Sequence, residues 1–312
     1  MVSWITNFIK PKIKSLFKRR SKNTEDSLWV ACDCQEPIFK EDLVKNLYVC
    51  PSPKCQKHHQ LSSRERFNIF FDEGSYEIIN SPKFLEDPLE FEDRLKYTDR
   101  LKVARKKTKQ EDAILIAQGK LEGINITCAA QNFDFIGGSV GAASGEAIIA
   151  AVQNAINNKT PLISFSSSGG QRMMEASIAL MQMPRTIIAI KELKKERLPY
   201  IVVFCNPTTG GVSASWAGIS DIAIGEPKST IGFAGRRVIQ NTIGSTESLP
   251  EDFQTAESVL KHGRLDMIVE RKNLRSTISN IIKILLKIEE KNINAHDSNV
   301  VKIEDPLRKS TA

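Results

Sequence analysis

The sequence predicts an α/β fold with a largely parallel, buried sheet. Short apolar runs alternate with amphipathic stretches through the back of the chain, separated by strong turn signals. Glycine marks where this body begins: only Gly74 lies before residue 119, and the other sixteen fall between Gly119 and Gly263. The apolar runs that lead into glycine turns suit strands covered on both faces.

The elements follow in order. Residues 1–25 read as a basic N-terminal tail and 26–62 as a small four-cysteine module. A charged, helix-prone connector occupies 63–110 ("FEDRLKYTDRLKVARKKTKQED"), the body spans 111–292, and a polar tail covers 293–312. "AILIAQGKLEGINITCAAQNFDF" reads as two strands joined by a turn at Glu122-Gly123. "SGEAIIAAVQNAINNK" is an amphipathic helix expected to be capped by Ser144. "PLISFSSSGG" is a strand entering a glycine turn, and "QRMMEASIALMQMPRTIIAIKELKKERL" a long helix with Pro184 as its kink point. The unit then recurs as "PYIVVFCNPTTGG" and a short helix, "VSASWAG". "DIAIGEP" and "STIGFAG" are further short strands. "TAESVLKHG", "LDMIVE" and a helix from about Asn273 complete the body.

Hydrophobic residues make up 41% and charged residues 26% of the 312, an ordinary globular balance. The net charge of +7 suggests nucleic acid until it is located. Residues 1–22 carry seven basic and no acidic side chains; taking these from 44 leaves 37 basic against 37 acidic in the rest. A neutral body in a chain that is only 7% aromatic argues against a zinc-dependent nucleic-acid-binding protein as the main role. The tail is read as loosely docked, with an amphipathic surface helix as the other possibility. No apolar run suits a signal peptide or membrane span, so a cytoplasmic location is expected.

Cys32, Cys34, Cys50 and Cys55 cluster as candidate metal ligands, whereas Cys128 and Cys205 read as small buried residues. The spacing is C-x-C and C-x4-C, where a zinc ribbon shows C-x2-C twice. C-x-C cannot form the usual knuckle turn, and His58 or His59 is a substitute ligand.

Two segments share one design: "SFSSSGGQRMMEA" and "VFCNPTTGGVSAS". Each leaves a buried strand through hydroxyl residues into paired glycines that open a helix. Such a turn admits a ligand close to the backbone and leaves N–H groups that can stabilise an oxyanion. The same glycines could also serve only to turn the chain. Other chemistries lack their residues. His262 is the body's only histidine, no G-x4-GK-[ST] loop occurs, and "FIGGSVGAASGE" does not have G-x-G-x-x-G spacing.

"FIGGSVG", "SFSSSGGQRMMEA", "LPYIVVFCNPTTGGVSAS", "EPKSTIGFAG" and "LDMIV", in this order from about Trp29 onward, resemble the carboxyltransferase beta subunits of bacterial and plastid acetyl-CoA carboxylase. The resemblance implies a crotonase-like (ClpP/crotonase) ββα superhelix with a zinc-ribbon-like module at Cys32, Cys34, Cys50 and Cys55. It implies carboxyl transfer from biotin, held on a carrier protein, to acetyl-CoA, giving malonyl-CoA for fatty acid synthesis. In that mechanism biotin supplies the base, which accounts for the missing histidine. Gly210 and Gly211 are implied as the oxyanion hole, with Gly169 and Gly170 lining the same pocket. Arg172 has two readings, a contact to CoA phosphate or partner subunit and an ion pair with Glu175. Phe233, Ala234 and Gly235 are placed near the CoA path by the resemblance alone. Gln171 and Arg236 depart from the family's "SGGARM" and "GFAGPRV". Implied partners are an alpha subunit in an α2β2 assembly, the biotin carboxyl carrier protein and biotin carboxylase. A self-sufficient acyl-CoA hydratase or decarboxylase of the same fold is the alternative, but it needs a side-chain acid or base that is not evident.

Overall fold

The computed structural model describes residues 28–82, 84–243 and 249–288. The tails expected at 1–25 and 293–312, and the side chain of Arg236, lie outside the described residues. The front module pairs β1 (Trp29–Ala31) antiparallel with β2 (Pro37–Phe39), followed by α1 (Lys40–Lys45). Its core is Ile38 and Leu43 with Cys32 and Cys50, too little apolar material to fold on packing alone.

The stretch read as a connector is partly built into the body. Its first helix, α2 (Ser63–Phe70), starts at a capping box in which Ser62 and Glu65 satisfy each other's backbone N–H groups. Phe67 and Phe70 of this helix enter the core. β3 (Glu77–Ile79) forms the edge of the main sheet, and α3 (Tyr97–Thr108) brings Tyr97 and Leu101 inside. β4 (Ile114–Leu121) and β5 (Ile124–Gln131) form the expected hairpin. Glu122 and Gly123 both take positive φ (48° and 81°), the geometry a two-residue hairpin turn requires. Asp72 accepts both of their N–H groups at 2.8 Å.

The parallel part follows: α4 (Ala142–Asn158), β6 (Leu162–Ser168), α5 (Ala176–Lys195), β7 (Tyr200–Thr208) and β8 (Ile222–Gly225). Then come α6 (Arg236–Ile243), α7 (Ala256–Lys261), β9 (Met267–Ile268) and α8 (Leu274–Leu286). The seven strands lie in chain order from β3 to β9, antiparallel through β5 and parallel thereafter. Side-chain alternation divides the core into two layers. Ile116, Ala129, Val202 and Phe204 face Ile148 and Val152 of α4 and Ile190 of α5. Cys128, Phe165, Val203 and Ile224 face Phe67 and Phe70 of α2 and Ile278 and Ile282 of α8. Cys128 and Cys205 are buried, as expected of small core residues. The carboxyl ends of β5 to β8 all lie on one side, where ligands bind in open α/β sheets.

Three local expectations are corrected. Ser144 is not a cap: α4 starts at Ala142 after Gly141, and the Ser144 hydroxyl donates instead to the buried Asp112 carboxylate. The glycine pairs do not open helices. After Gly170 the chain passes through a 3-10 turn at Met173–Glu175, and α5 begins only at Ala176. After Gly211 only turns and a 3-10 segment (Ala217–Ile219) fit before β8, because ten residues are too few for a full helical crossover. "STIGFAG" makes only isolated bridges, Thr208 with Ile231 and Thr230 with Thr255, and folds over the end of β7.

Candidate active site

Three glycine turns meet beyond the strand ends. A β-carbon added to Gly210 would stand 2.8 Å from the Gly170 Cα and 3.2 Å from the Gly169 carbonyl oxygen. The two pairs, 40 residues apart in sequence, therefore pack backbone against backbone. Gly210 has φ +68° and Gly170 φ +117°, regions that disfavour any side chain. The third turn is Gly137-Gly138, quoted in the sequence but assigned no part in a site. At Gly138 a β-carbon would lie 2.1 Å from the Ser167 carbonyl oxygen.

Hydrogen bonds show which amides are available. Gly169 N–H donates to the Gly137 carbonyl (2.9 Å) and Gly170 N–H to the Ser168 hydroxyl (3.0 Å). Gly210 N–H donates to the Phe233 carbonyl at 2.7 Å, so the expected pairing of Gly210 and Gly211 as free donors is revised. Among the described residues no acceptor meets the N–H of Gly211, Val212 or Ser213. The cause is a single helical turn: Ala214 N–H bonds the Gly210 carbonyl, and the amides inside that turn have nothing ahead of them. Gly211 has ordinary φ, and its missing side chain leaves room for Gln171, whose Cγ would lie 2.7 Å from an added β-carbon. Gln171, one of the departures from the family pattern, thus fills the space where a Gly211 side chain would stand.

Among the described residues, neither the body's histidine nor the cysteine of β7 offers a base at these turns. His262 is exposed at the end of α7, and burial pushes the Cys205 thiol up to about 12, which keeps it protonated. Arg172 is 1% exposed and all three of its nitrogens are engaged, Nε with the Ser139 hydroxyl at 3.4 Å. It forks onto Asp112 (2.7 and 2.9 Å) and reaches Tyr97 (3.0 Å), Glu175 (3.2 Å) and the Ser139 carbonyl (2.8 Å). Its geometry fits the ion-pair reading, widened from Glu175 to a cluster, and leaves no donor for a phosphate. Phe233 is 64% exposed and Gly235 faces open space, both beside the glycine turns. The Ala234 carbonyl is held by Gln254 at 2.7 Å.

The cysteine module sits over the same strand ends. Cys32 and Cys55 sulfurs are 3.5 Å apart, Cys34 and Cys50 sulfurs 3.9 Å, and all four lie within 4.8 Å of one another. A tetrahedron of ~2.3 Å Zn–S bonds has edges of ~3.8 Å, so the donor set fits a four-thiolate ion. The unusual spacings converge because other contacts close the loops. Gln35, at φ 62°, bonds back to the Cys32 carbonyl, and a Val49–His58 bridge draws in the wide Cys50–Cys55 loop. Neither histidine joins the four sulfurs. His58 is buried with its Nδ1 3.8 Å from Glu226.

Glu226, just past β8, anchors this docking. Its carboxylate takes Arg66 at 2.7 Å and Arg271 at 2.9 Å on both oxygens, and both arginines pull its pKa far below the usual range despite burial. Arg271 also donates to the carbonyls of Leu47, Tyr48 and His59. Gln60 reaches the Asn206 carbonyl at 3.3 Å, at the entry to the second glycine turn. Glu226, Arg271 and Asp112 were not found from sequence. The one available signal was a charged residue closing an apolar run, as Glu226 does after "DIAIG".

Comparison with known proteins gives the class of this α/β body: it is a carboxyl transferase domain. Residues 57–311 match the family described as the carboxyl transferase domain. The acetyl-coenzyme A carboxylase carboxyl transferase subunit beta of Granulibacter bethesdensis is 50% identical over 285 residues, 91% of each chain. That of Pelagibacter ubique is 46% identical over 290 residues, 92% of each chain. The chain belongs to this family, the carboxyl transferase beta subunits of acetyl-coenzyme A carboxylase. Solved structures agree in fold. A Pseudomonas malonate decarboxylase hetero-tetramer aligns with TM-score 0.58 at 21% identity, covering 78% of this chain and 87% of that one. The transcarboxylase 12S structure aligns with TM-score 0.57 at 21% identity, covering 72% and 41%. The crotonase-like architecture is therefore shared.

Proposed function

We propose that this chain transfers a carboxyl group from carboxybiotin, carried on a partner protein, to acetyl-CoA, giving malonyl-CoA. The observation that carries the mechanism is the meeting of the glycine turns around the unaccepted Gly211 N–H. Carboxyl transfer to a thioester passes through an enolate, whose oxygen needs donors that are already aimed and dry. Gly211 N–H serves as one such donor, with the amides of the same turn beside it. Gly210 and Gly170 supply the close backbone approach, Gly169 lines the pocket, and Phe233, Ala234 and Gly235 border the path of CoA. Biotin brings the base, so the chain's task is to align two substrates and stabilise charge.

Zinc is the proposed occupant of Cys32, Cys34, Cys50 and Cys55, where it would hold together a module that has almost no apolar core. The chain works within a multi-subunit carboxylase, with an alpha subunit in an α2β2 assembly, the biotin carboxyl carrier protein and biotin carboxylase as the proposed partners. An exposed apolar row on and beside α5, comprising Met173, Leu180, Met181 and Ile188, supports a protein partner next to the glycine turns. No helix of the described residues is long and apolar enough to cross a membrane, and the proposed location is the cytoplasm.

Gly211→Val tests the site. Its φ tolerates a side chain, and the main displaced group is the flexible Gln171. Transfer is expected to fall about 10²–10³-fold, the worth of one oxyanion donor, because the added side chain and the displaced Gln171 shift the amide away from the thioester, with the circular dichroism spectrum unchanged. Wild-type turnover in a folded Gly211→Val protein contradicts the assignment.

A further inference from the structure

The cluster under the glycine turns serves none of the roles assigned above. Arg172, Asp112, Tyr97 and Glu175 are all buried, and they come from four separate places: the turn after β6, the residues before β4, α3, and the start of α5. Burial would raise the Asp112 pKa, but the Arg172 fork reverses this and holds the carboxyl below its usual range. Buried ion clusters are weak stabilisers, since an apolar plug of the same volume does as well or better. What they do supply is direction.

Here the direction is specific. A strap, residues 137–142, runs alongside the first glycine pair and is zipped to it by three backbone bonds. These are Gly169 N–H to the Gly137 carbonyl, Val140 N–H to the Gly170 carbonyl, and Arg172 N–H to the Val140 carbonyl. The cluster grips this zipper from both sides. Arg172 donates to the Ser139 carbonyl at 2.8 Å, while Glu175 accepts Ala142 N–H at 2.6 Å and the Tyr97 hydroxyl at 2.5 Å. Gly170, at the centre, is the residue whose Cα packs on Gly210.

We infer that Arg172, Asp112, Tyr97 and Glu175 are positioning residues for carboxyl transfer, setting the strap and Gly170 so that the Gly210–Gly211 turn faces the reacting thioester. The inference rests on the oxyanion reading of Gly211. Asp112 gives the guanidinium its plane and Tyr97 bridges Arg172 to Glu175, so each contact restrains orientation. A lysine at 172 would keep the charge and lose the fork.

The test measures steady-state transfer in the assembled carboxyltransferase for Tyr97→Phe and Arg172→Lys, with Gly211→Val alongside. Tyr97→Phe removes one hydroxyl from a residue that is otherwise packed. It is expected to lower kcat about tenfold, the worth of one hydrogen bond felt in the transition state, with KM for acetyl-CoA unchanged and the thermal midpoint lowered by only a few degrees. Arg172→Lys is expected to lower kcat further, with no rescue by the retained charge. If Arg172→Lys does not fold, Tyr97→Phe decides. Unchanged kcat per folded molecule in Tyr97→Phe, while Gly211→Val is impaired, overturns the positioning role alone. Full activity in Gly211→Val overturns the oxyanion reading and this inference with it.

Discussion

Glu226→Ala is expected to destabilise the protein by about 3–5 kcal/mol, because it strands two arginines in the interior. The Arg66 side chain is 6% and that of Arg271 2% exposed, and among the described residues the carboxylate between them is the one acid paired with either. For a domain of this size such a loss lowers the melting midpoint by roughly 10–15 °C, read by calorimetry. Its consequences reach the cysteine module, since Arg271 also carries the carbonyls of Leu47, Tyr48 and His59. The same carboxylate makes stability depend on pH in a definite direction. Its folded pKa lies well below the ordinary glutamate value of 4.5, so the unfolded chain binds this proton more readily. The contribution is therefore fully present above about pH 5 and is lost as pH falls through the acidic range toward the folded pKa. Glu226→Gln should flatten that acid limb. A midpoint for Glu226→Ala within a degree or two of wild type would show that the carboxylate does not hold the module to the body.

Gly210→Ala is the second large effect, and it differs in kind from Gly211→Val. A side chain at φ +68° costs about 1–2 kcal/mol in backbone strain. Its β-carbon would meet the Gly170 Cα at 2.8 Å, backbone that cannot rotate away. Overpacking at such a contact adds about 1–3 kcal/mol. Both stability and transfer are expected to fall together, transfer by more than about 10³-fold as the two turns separate. Gly211→Val should lose transfer with its fold intact. A Gly210→Ala protein with wild-type melting and wild-type kcat would mean the turns do not need their mutual contact.

What was legible in the sequence was what is decided locally. The Glu122-Gly123 hairpin, the apolar runs of β6 and β7 and the helix at α8 each follow from residues within a few positions of one another. The glycine pairs were also legible as turns, since few other residues leave a buried strand that way. Their meeting was not, because it depends on the parallel register that sets β6 beside β7. The long helix expected after the first pair is present but starts only at Ala176, for the same reason: Arg172 N–H is taken by Val140, from a segment more than thirty positions earlier. Ser144 looked like a cap because serine usually is one, but its partner is Asp112, reached only in three dimensions. The C-x-C and C-x4-C spacings pointed away from a regular knuckle, yet sulfur positions depend on loop closure as much as on spacing. The bridge between Val49 and His58 supplies that closure. Glu226 and its arginines, separated by 160 and 45 residues, had no local signature.

The proposed carboxyl transfer through backbone donors requires a second subunit. The most direct measurement is malonyl-CoA-dependent carboxylation of free biotin, assayed for this chain, for a cognate alpha subunit, and for the two co-expressed. Activity is expected from the pair and from neither chain alone. Turnover of acyl-CoA by this chain alone, or an inactive pair that nevertheless assembles, would contradict the proposal.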